Sequence, residues 1–161
     1  MEQFTFFWKK DSIFSNWYPS KFKANGILFY NAEQYLMWKK AIIFGDEQMA
    51  NVILAEQDPS KIKNMGRLIK NFDSHVWDKK KVSVMYDAVE LKFRQNNALN
   101  TALLATKGTT LVEASPYDKI WGIGLSADDP RALDRSQWLG ENLLGEVLTE
   151  YRDNRLYELK S

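Results

Sequence analysis

Glu33, Lys40 and Asp118 are the side chains of this chain whose types and settings suit bond chemistry. Glu33 opens the run AEQYLMWKKAIIF, which Asn31 precedes as an N-cap and Gly45 closes, so it falls in the first turn of a predicted helix. Free N–H groups there stabilise a carboxylate anion, which suits a base or an electrostatic stabiliser. Met37 and Lys40 follow on the same helix face. The plainer reading is a helix-dipole residue and a solvated lysine. Asp118 lies in SPYDKIWGIGL, where an acid, an indole and two glycines share one loop.

Binding chemistry has candidates of its own. Lys63 and Arg67 lie one helical turn apart beside Gly66, and arginine offers a planar fork to phosphate oxygens. A wet helix face is the alternative. LKFRQNN places Asn96 among three consecutive amides; these either hydrogen-bond a base or sugar, or simply end a helix. Trp17, Trp121 and Trp138 each adjoin turn residues. Flat side chains at loops serve a planar heterocycle, and they also fill cores.

Other chemistries are excluded. The chain has no cysteine, which removes disulfides, thiolate nucleophiles and cysteine-ligated metals. A single histidine, His75, makes neither a multi-histidine metal site nor a catalytic triad of the usual build. GIGLSA matches a loose dinucleotide pattern, but DDPRALD follows it where a helix N-terminus is required. With Lys+Arg 22 against Asp+Glu 21, the net charge of +1 supplies no global field for nucleic acid or membrane. The N-terminus lacks a signal-peptide pattern and no segment is apolar for long enough to span a bilayer. A cytoplasmic protein is expected.

The elements that must position these residues follow from pattern. FTFFWKK is strand-like, and Asn25-Gly26 makes a hairpin of KFKANGILFY. Asp58 and Pro59 start a helix through SKIKNMGRLIKNF, with Ile62, Met65, Ile69 and Phe72 inward. WDKKKVSVMYDAVELKFRQN is expected to be the central core helix, with Val82, Met85, Tyr86, Val89 and Phe93 buried. NALNTALLAT is a shorter helix ended by Gly108, TTLVEAS is a strand, and a closing helix runs from Trp138. The sum is one compact, predominantly helical α+β domain over residues 1–161, with a few short strands.

Read in order, SNWYP, FYNAEQYLMWKKAIIFGD, KNMGR, KFRQN, EASPYDKIWGIGL and WLGENLLGEVL resemble the NADAR, or YbiA-like, family across nearly the whole chain. That resemblance implies an N-glycosidase, a hydrolase of C–N bonds between ribose phosphate and a planar nitrogen heterocycle. Its implied substrates are ribosylaminopyrimidine phosphates of riboflavin biosynthesis. Alternatives are removal of ADP-ribose from guanine in nucleic acid, or a non-catalytic ADP-ribose sensor. A nucleic-acid substrate predicts a basic path, with Lys79, Lys80 and Lys81 as candidates.

The resemblance casts Glu33 as the key carboxylate, with Lys40, Asp118 and Trp121 as companions. Cleavage builds positive charge on the ribose, which a fixed carboxylate opposes. Glu33 is therefore expected to stabilise the cation and activate water, and Asp118 to orient a ribose hydroxyl or protonate the leaving base. In a variant, Lys40 forms an imine with the opened sugar, which requires a lowered pKa. Arg67 and Lys63 are expected to hold phosphate and Trp121 to stack on the base. Asn16, Asn96, Trp138 and Asn142 complete the binding set by contacting ligand or bracing the pocket. Gly122 and Gly124 are expected to let backbone approach substrate. No metal or organic cofactor is called for.

Overall fold

The computed structural model describes residues 1–160; Ser161, the last residue of the expected domain, lies outside them. The fold class is α+β and predominantly helical, with six α-helices and four short strands among the described residues. The chain divides into two units, one of Met1–Ser15 with the described residues from Asn97 onward, the other of Asn16–Asn96.

In the first unit, β1 (Phe4–Phe7) and β4 (Thr110–Glu113) pair in parallel, with Phe4 opposite Thr110 and Phe7 opposite Glu113. β-Branched and aromatic residues give both strands their propensity. The closing helix (Leu143–Lys160) lies along β4: Leu111 N–H donates to Thr149 Oγ1 at 2.9 Å, and Gly145 has no room for a Cβ against the Leu111 carbonyl. Val112, Ile123, Leu125 and Ala132 form a buried cluster covered by Phe4, Phe6 and Trp138. The closing helix starts at Leu143, five residues later than expected. DDPRALDRSQ instead makes two short 3-10 turns, capped by the carboxylates of Asp129 and Asp134.

The second unit opens with β2 (Phe22–Ala24) and β3 (Ile27–Phe29), a hairpin whose turn residues Asn25 and Gly26 have φ of 51° and 81°. Both values belong to the left-handed region that a two-residue hairpin turn needs. Helix α1 (Ala32–Ile43) follows, capped by Asn31, whose side chain accepts from Gln34 N–H. Gln34 is wholly buried: its Oε1 accepts from Tyr30 N–H at 2.8 Å and its Nε2 donates to Glu56 O at 2.7 Å. The last bond ties α1 to the chain just beyond α2 (Glu47–Leu54).

Helix α2 is absent from the sequence expectation. Asp46 caps it through Met49 N–H at 3.1 Å, and Ala50 and Ile53 are its buried residues; at 8 residues it is shorter than the run over which periodicity identifies a helix. Helix α3 (Pro59–Gly66) starts at Asp58 and Pro59 as expected but stops at Gly66. Ile62 and Ile69 are buried, whereas Phe72 is 47% exposed. Glycine is a poor helix residue, and Asn71, at φ 63°, turns the chain away.

The long helix of the second unit, α4 (Ser74–Arg94), buries Trp77, Val84, Met85, Ala88, Val89, Lys92 and Phe93. Its core face therefore runs through 85, 89 and 93 as expected, but widens toward 84, 88 and 92. Val82, expected inside, is 41% exposed. Helix α5 (Asn97–Leu104) precedes Gly108, which has φ 90°. Among the described residues no helix is long and apolar enough to cross a membrane.

Candidate active site

The second unit brings Glu33, Lys40 and Arg67 into electrostatic contact. Glu33 sits in the first turn of α1 and is buried, at 7% exposure. Its backbone N–H donates to Asn16 O at 3.1 Å, and Asn16 Nδ2 donates to the Met85 sulfur at 3.4 Å. Asn16 is itself buried and so links the carboxylate-bearing turn to α4. A helix N-terminus stabilises the ionised form of a carboxylate placed this way.

Two turns further along α1, Lys40 Nζ donates to Gly66 O at 3.1 Å. It also lies 4.6 Å from the ring centre of Phe72 and 5.7 Å from that of Trp77, within the range of cation–π attraction. Burial lowers the Lys40 pKa; Glu33 opposes the shift and Arg67 adds to it. Lys40 therefore feels both charges, and desolvation prevails. Gly66 has a further role here. A Cβ at that position would collide with the Met37 sulfur, so glycine brings α3 against α1 and its carbonyl to Lys40. That close approach is between helices, and no phosphate is needed to explain it.

Arg67 and Lys63 are exposed at the end of α3. Arg67 makes a long 3.4 Å contact to Asn64 Oδ1, and Lys63 has no ion pair among the described residues. A helix C-terminus favours cations, which explains their stability there and leaves both available to an anion. Asn96 is committed to backbone: Nδ2 donates to Lys92 O at 2.7 Å and Lys21 O at 3.1 Å. Lys79 and Lys80 are exposed on α4, and Lys81 pairs with Asp78 at 2.9 Å.

The first unit holds Asp118, Trp121, Trp138 and Asn142. Ser115 Oγ accepts from Tyr117 and Asp118 N–H groups, and Asp118 Oδ1 accepts from Ile120 at 2.9 Å and Trp121 at 2.8 Å. One oxygen of Asp118 thus fixes its own turn, leaving Oδ2 without a hydrogen bond among the described residues. Trp121 is half-buried, and its ring makes no aromatic or cation pair among the described residues.

Trp138 is differently placed. Its ring lies 5.3 Å from Phe4, Arg135 covers it at 4.8 Å, and Nε1 donates to Ala132 O at 2.9 Å. Asn142, wholly buried with φ 54°, donates to Leu111 O at 3.0 Å and accepts from Glu113 N–H at 3.0 Å, clamping β4. The glycines of the turn serve the chain itself. A Cβ on Gly122 would lie 2.8 Å from Glu113 O, and one on Gly124 3.1 Å from Leu139 Cβ. The space expected for substrate at these two positions is filled by the protein's own backbone and side chains.

Lys92 went unrecognised in the sequence. It is 1% exposed on α4, with Nζ 5.1 Å from the Phe93 ring and 5.9 Å from Tyr18, and burial lowers its pKa to about 7. The available signal was its position in the i, i+4 row of Val84, Ala88 and Lys92, which a charged residue disguises. Among the described residues no three His, Asp or Glu side chains gather to hold a metal ion.

Comparison with known proteins adds an independent line. The NADAR domain model matches residues 6–155, across both units. The N-glycosidase R617 of Acanthamoeba polyphaga mimivirus is 44% identical over 146 residues, covering 88% of this chain and 86% of the relative. A riboflavin biosynthesis protein of Vibrio vulnificus is 30% identical, covering 95% of this chain and 39% of that longer protein. The NMR structure of the E.coli protein YbiA superposes with a TM-score of 0.81 at 27% identity, covering 100% of this chain and 90% of that one.

Proposed function

Because this chain belongs to the NADAR family, we propose that it hydrolyses the C–N bond between a ribose phosphate and a planar nitrogen heterocycle, with ribosylaminopyrimidine phosphates as the preferred substrates. The reaction class, hydrolysis of an N-glycosyl bond, is supported by the relative named N-glycosidase, aligned over most of both chains. The substrate class is supported by the relative named for riboflavin biosynthesis.

The observation that carries the mechanism is the buried Glu33 carboxylate at the start of α1, electrostatically coupled to Lys40 and, through it, to Arg67. As the C–N bond lengthens, positive charge grows on C1 and the ring oxygen of the ribose. Glu33, placed at a helix N-terminus, stabilises that charge and takes a proton from the attacking water. The water oxygen becomes the C1 hydroxyl, and the departing amino nitrogen of the heterocycle takes up a proton and the bonding electron pair. Arg67 and Lys63, exposed and available, hold the phosphate. Asn16 keeps the Glu33 turn in place.

Asp118 and Trp121 are assigned on their own unit's geometry. Asp118 has one oxygen to offer after fixing its turn, which fits a second acid, and the Trp121 ring, free of aromatic partners, fits a stacking surface. The observed bonds of Asn96, Asn142 and Trp138 fit bracing rather than ligand contact.

A lowered Lys40 pKa also meets the requirement of the imine route, in which the Lys40 amine attacks C1 and the base nitrogen leaves with the bonding pair and a proton. The C1–ring-oxygen bond then opens to give the imine and a sugar hydroxyl, and water hydrolyses the imine to free the lysine. Both routes are tested together. The purified protein is incubated with a ribosylaminopyrimidine phosphate and, separately, with ADP-ribosylated guanine DNA, with and without borohydride. Release of free base from the small substrate supports the proposal, and release from the DNA alone transfers it to the nucleic-acid branch. A borohydride-stable adduct at Lys40 selects the imine route; its absence leaves Lys40 as a charge. Ligand binding without release from either substrate would make the protein a sensor.

A further inference from the structure

Asp46 lies outside every role assigned so far. It caps α2 through Oδ1 and Met49 N–H, a local task that needs one oxygen. Its second oxygen, Oδ2, accepts from Lys70 N–H at 2.9 Å, across 24 residues of chain. The side chain is buried, and the bonds from Lys70 and Met49 hold its pKa below the usual carboxylate range. A carboxylate accepting two backbone N–H groups is ionised and strongly bound to both.

The segment that Oδ2 grips is the one whose Phe72 ring lies over the half-buried Lys40. Residues 67 to 73 are neither helix nor strand, and Asn71 is in the left-handed region. Leu68 N–H bonds back to Met65 O, Ile69 is buried, and Phe72 meets the Phe44 ring at 5.3 Å. Among the described residues, the polar tie of this segment beyond Leu68 to the preceding fold is the bond from Lys70 N–H to Asp46. Phe72, two residues past that tie, lies over the Lys40 ammonium.

We propose that Asp46 is a positioning residue, whose carboxylate holds the Arg67–Phe72 segment closed over the Lys40 ammonium. The groups facing Lys40 are Glu33 from α1, Arg67 and the Gly66 carbonyl from the end of α3, the Phe72 ring from the gripped segment and the Trp77 ring from α4. Releasing the segment removes Phe72, admits water to Nζ and weakens the desolvation that lowers its pKa. Any effect on turnover rests on the role given to Lys40 under the proposed function; the grip itself does not.

The test uses Asp46→Asn and Asp46→Ser. Each keeps an oxygen to cap α2 and lacks the second acceptor for Lys70. Asp129→Asn, at a carboxylate cap in the other unit, controls for general loss of stability. The full chain is reductively methylated with 13C, the Lys40 signal is assigned through Lys40→Arg, and its titration is followed.

Lys40 should titrate below the exposed lysines in the parent and in Asp129→Asn. It should rise by about half a pH unit or more in either Asp46 variant, and kcat/KM should fall about tenfold. A Lys40 midpoint unmoved in a folded Asp46 variant overturns the proposal. So does failure of both variants to fold, which would make Asp46 a purely structural residue. A raised midpoint with unchanged turnover upholds the grip and removes Lys40 from the reaction instead.

Discussion

Arg135 in the first unit lies in the open, its Nε donating to Glu2 at 2.9 Å and its Nη1 to Glu146 at 2.7 Å. Lys92 in the second unit is 1% exposed, packed among Tyr18 and Phe93. The same contrast recurs in Arg131 with Asp129, an exposed pair, against Lys40 among Phe72 and Trp77. Pairing in water drives titration outward: hydrogen bonds from Arg135 and Thr110 hold the Glu2 pKa near about 2. Burial beside aromatic rings lowers the pKa of both lysines, that of Lys92 to about 7. A group that changes charge near neutral pH is suited to proton handling, whereas one that titrates only in acid is suited to structure. Both lysines of this kind lie in the second unit, with the proposed carboxylate Glu33.

Glu33→Gln should break that half of the comparison most severely. It keeps the shape and removes the charge, so kcat should drop by about 10² to 10³-fold with little change in KM. Lys40→Met should lower kcat/KM by about tenfold to a hundredfold and shift the pH–rate profile, because a charge coupled to Glu33 is lost.

In the first unit, Asp118→Asn should separate structure from reaction. The amide oxygen still accepts from Ile120 and Trp121, so thermal stability should hold within about 0.5 kcal/mol while turnover falls. Asp118→Ala should lose both.

Lys92 sharpens the contrast through stability. Its folded pKa is depressed to about 7 from the ordinary lysine value of 10.5. Between those values the unfolded chain binds a proton that the folded chain does not, so stability rises with pH over that window and is lowest below about 7. Urea titrations at pH 7 and pH 10 should show a gain of about 1 to 3 kcal/mol in the parent and a flatter response in Lys92→Met.

Glu2 has the opposite sign. Its depressed pKa contributes stability above about 4.5 that is lost as the pH falls through about 2. Because the pair is largely exposed, Glu2→Gln should cost no more than about 1 kcal/mol at neutral pH, and less in high salt.

Local signals were legible in the sequence. Asn25-Gly26 announced the hairpin and Asn31 with Gly45 bounded α1, because turn and cap chemistry acts within a few residues. The place of Glu33 in the first turn of α1 was legible for the same reason. Groups whose roles depend on distant chain were missed. Asp46 drew no role in the sequence, because one of its partners, Lys70, lies 24 residues away. Lys92 reads as a surface lysine until α4 is seen to be buried along 84, 88 and 92. Gly122 and Gly124 were read as making room for substrate, whereas Glu113 and Leu139, distant in sequence, occupy that room. Periodicity also misplaced Val82, since a stripe drawn from apolar residues alone cannot register a buried lysine.

The most direct measurement is product analysis with a ribosylaminopyrimidine phosphate, parent beside Glu33→Gln, with substrate binding measured in parallel. Free heterocycle and free ribose phosphate should appear in equal amounts with the parent, while Glu33→Gln binds the substrate and releases neither at a comparable rate. Equal release by the two proteins would contradict the assignment of the reaction to the buried carboxylate of α1.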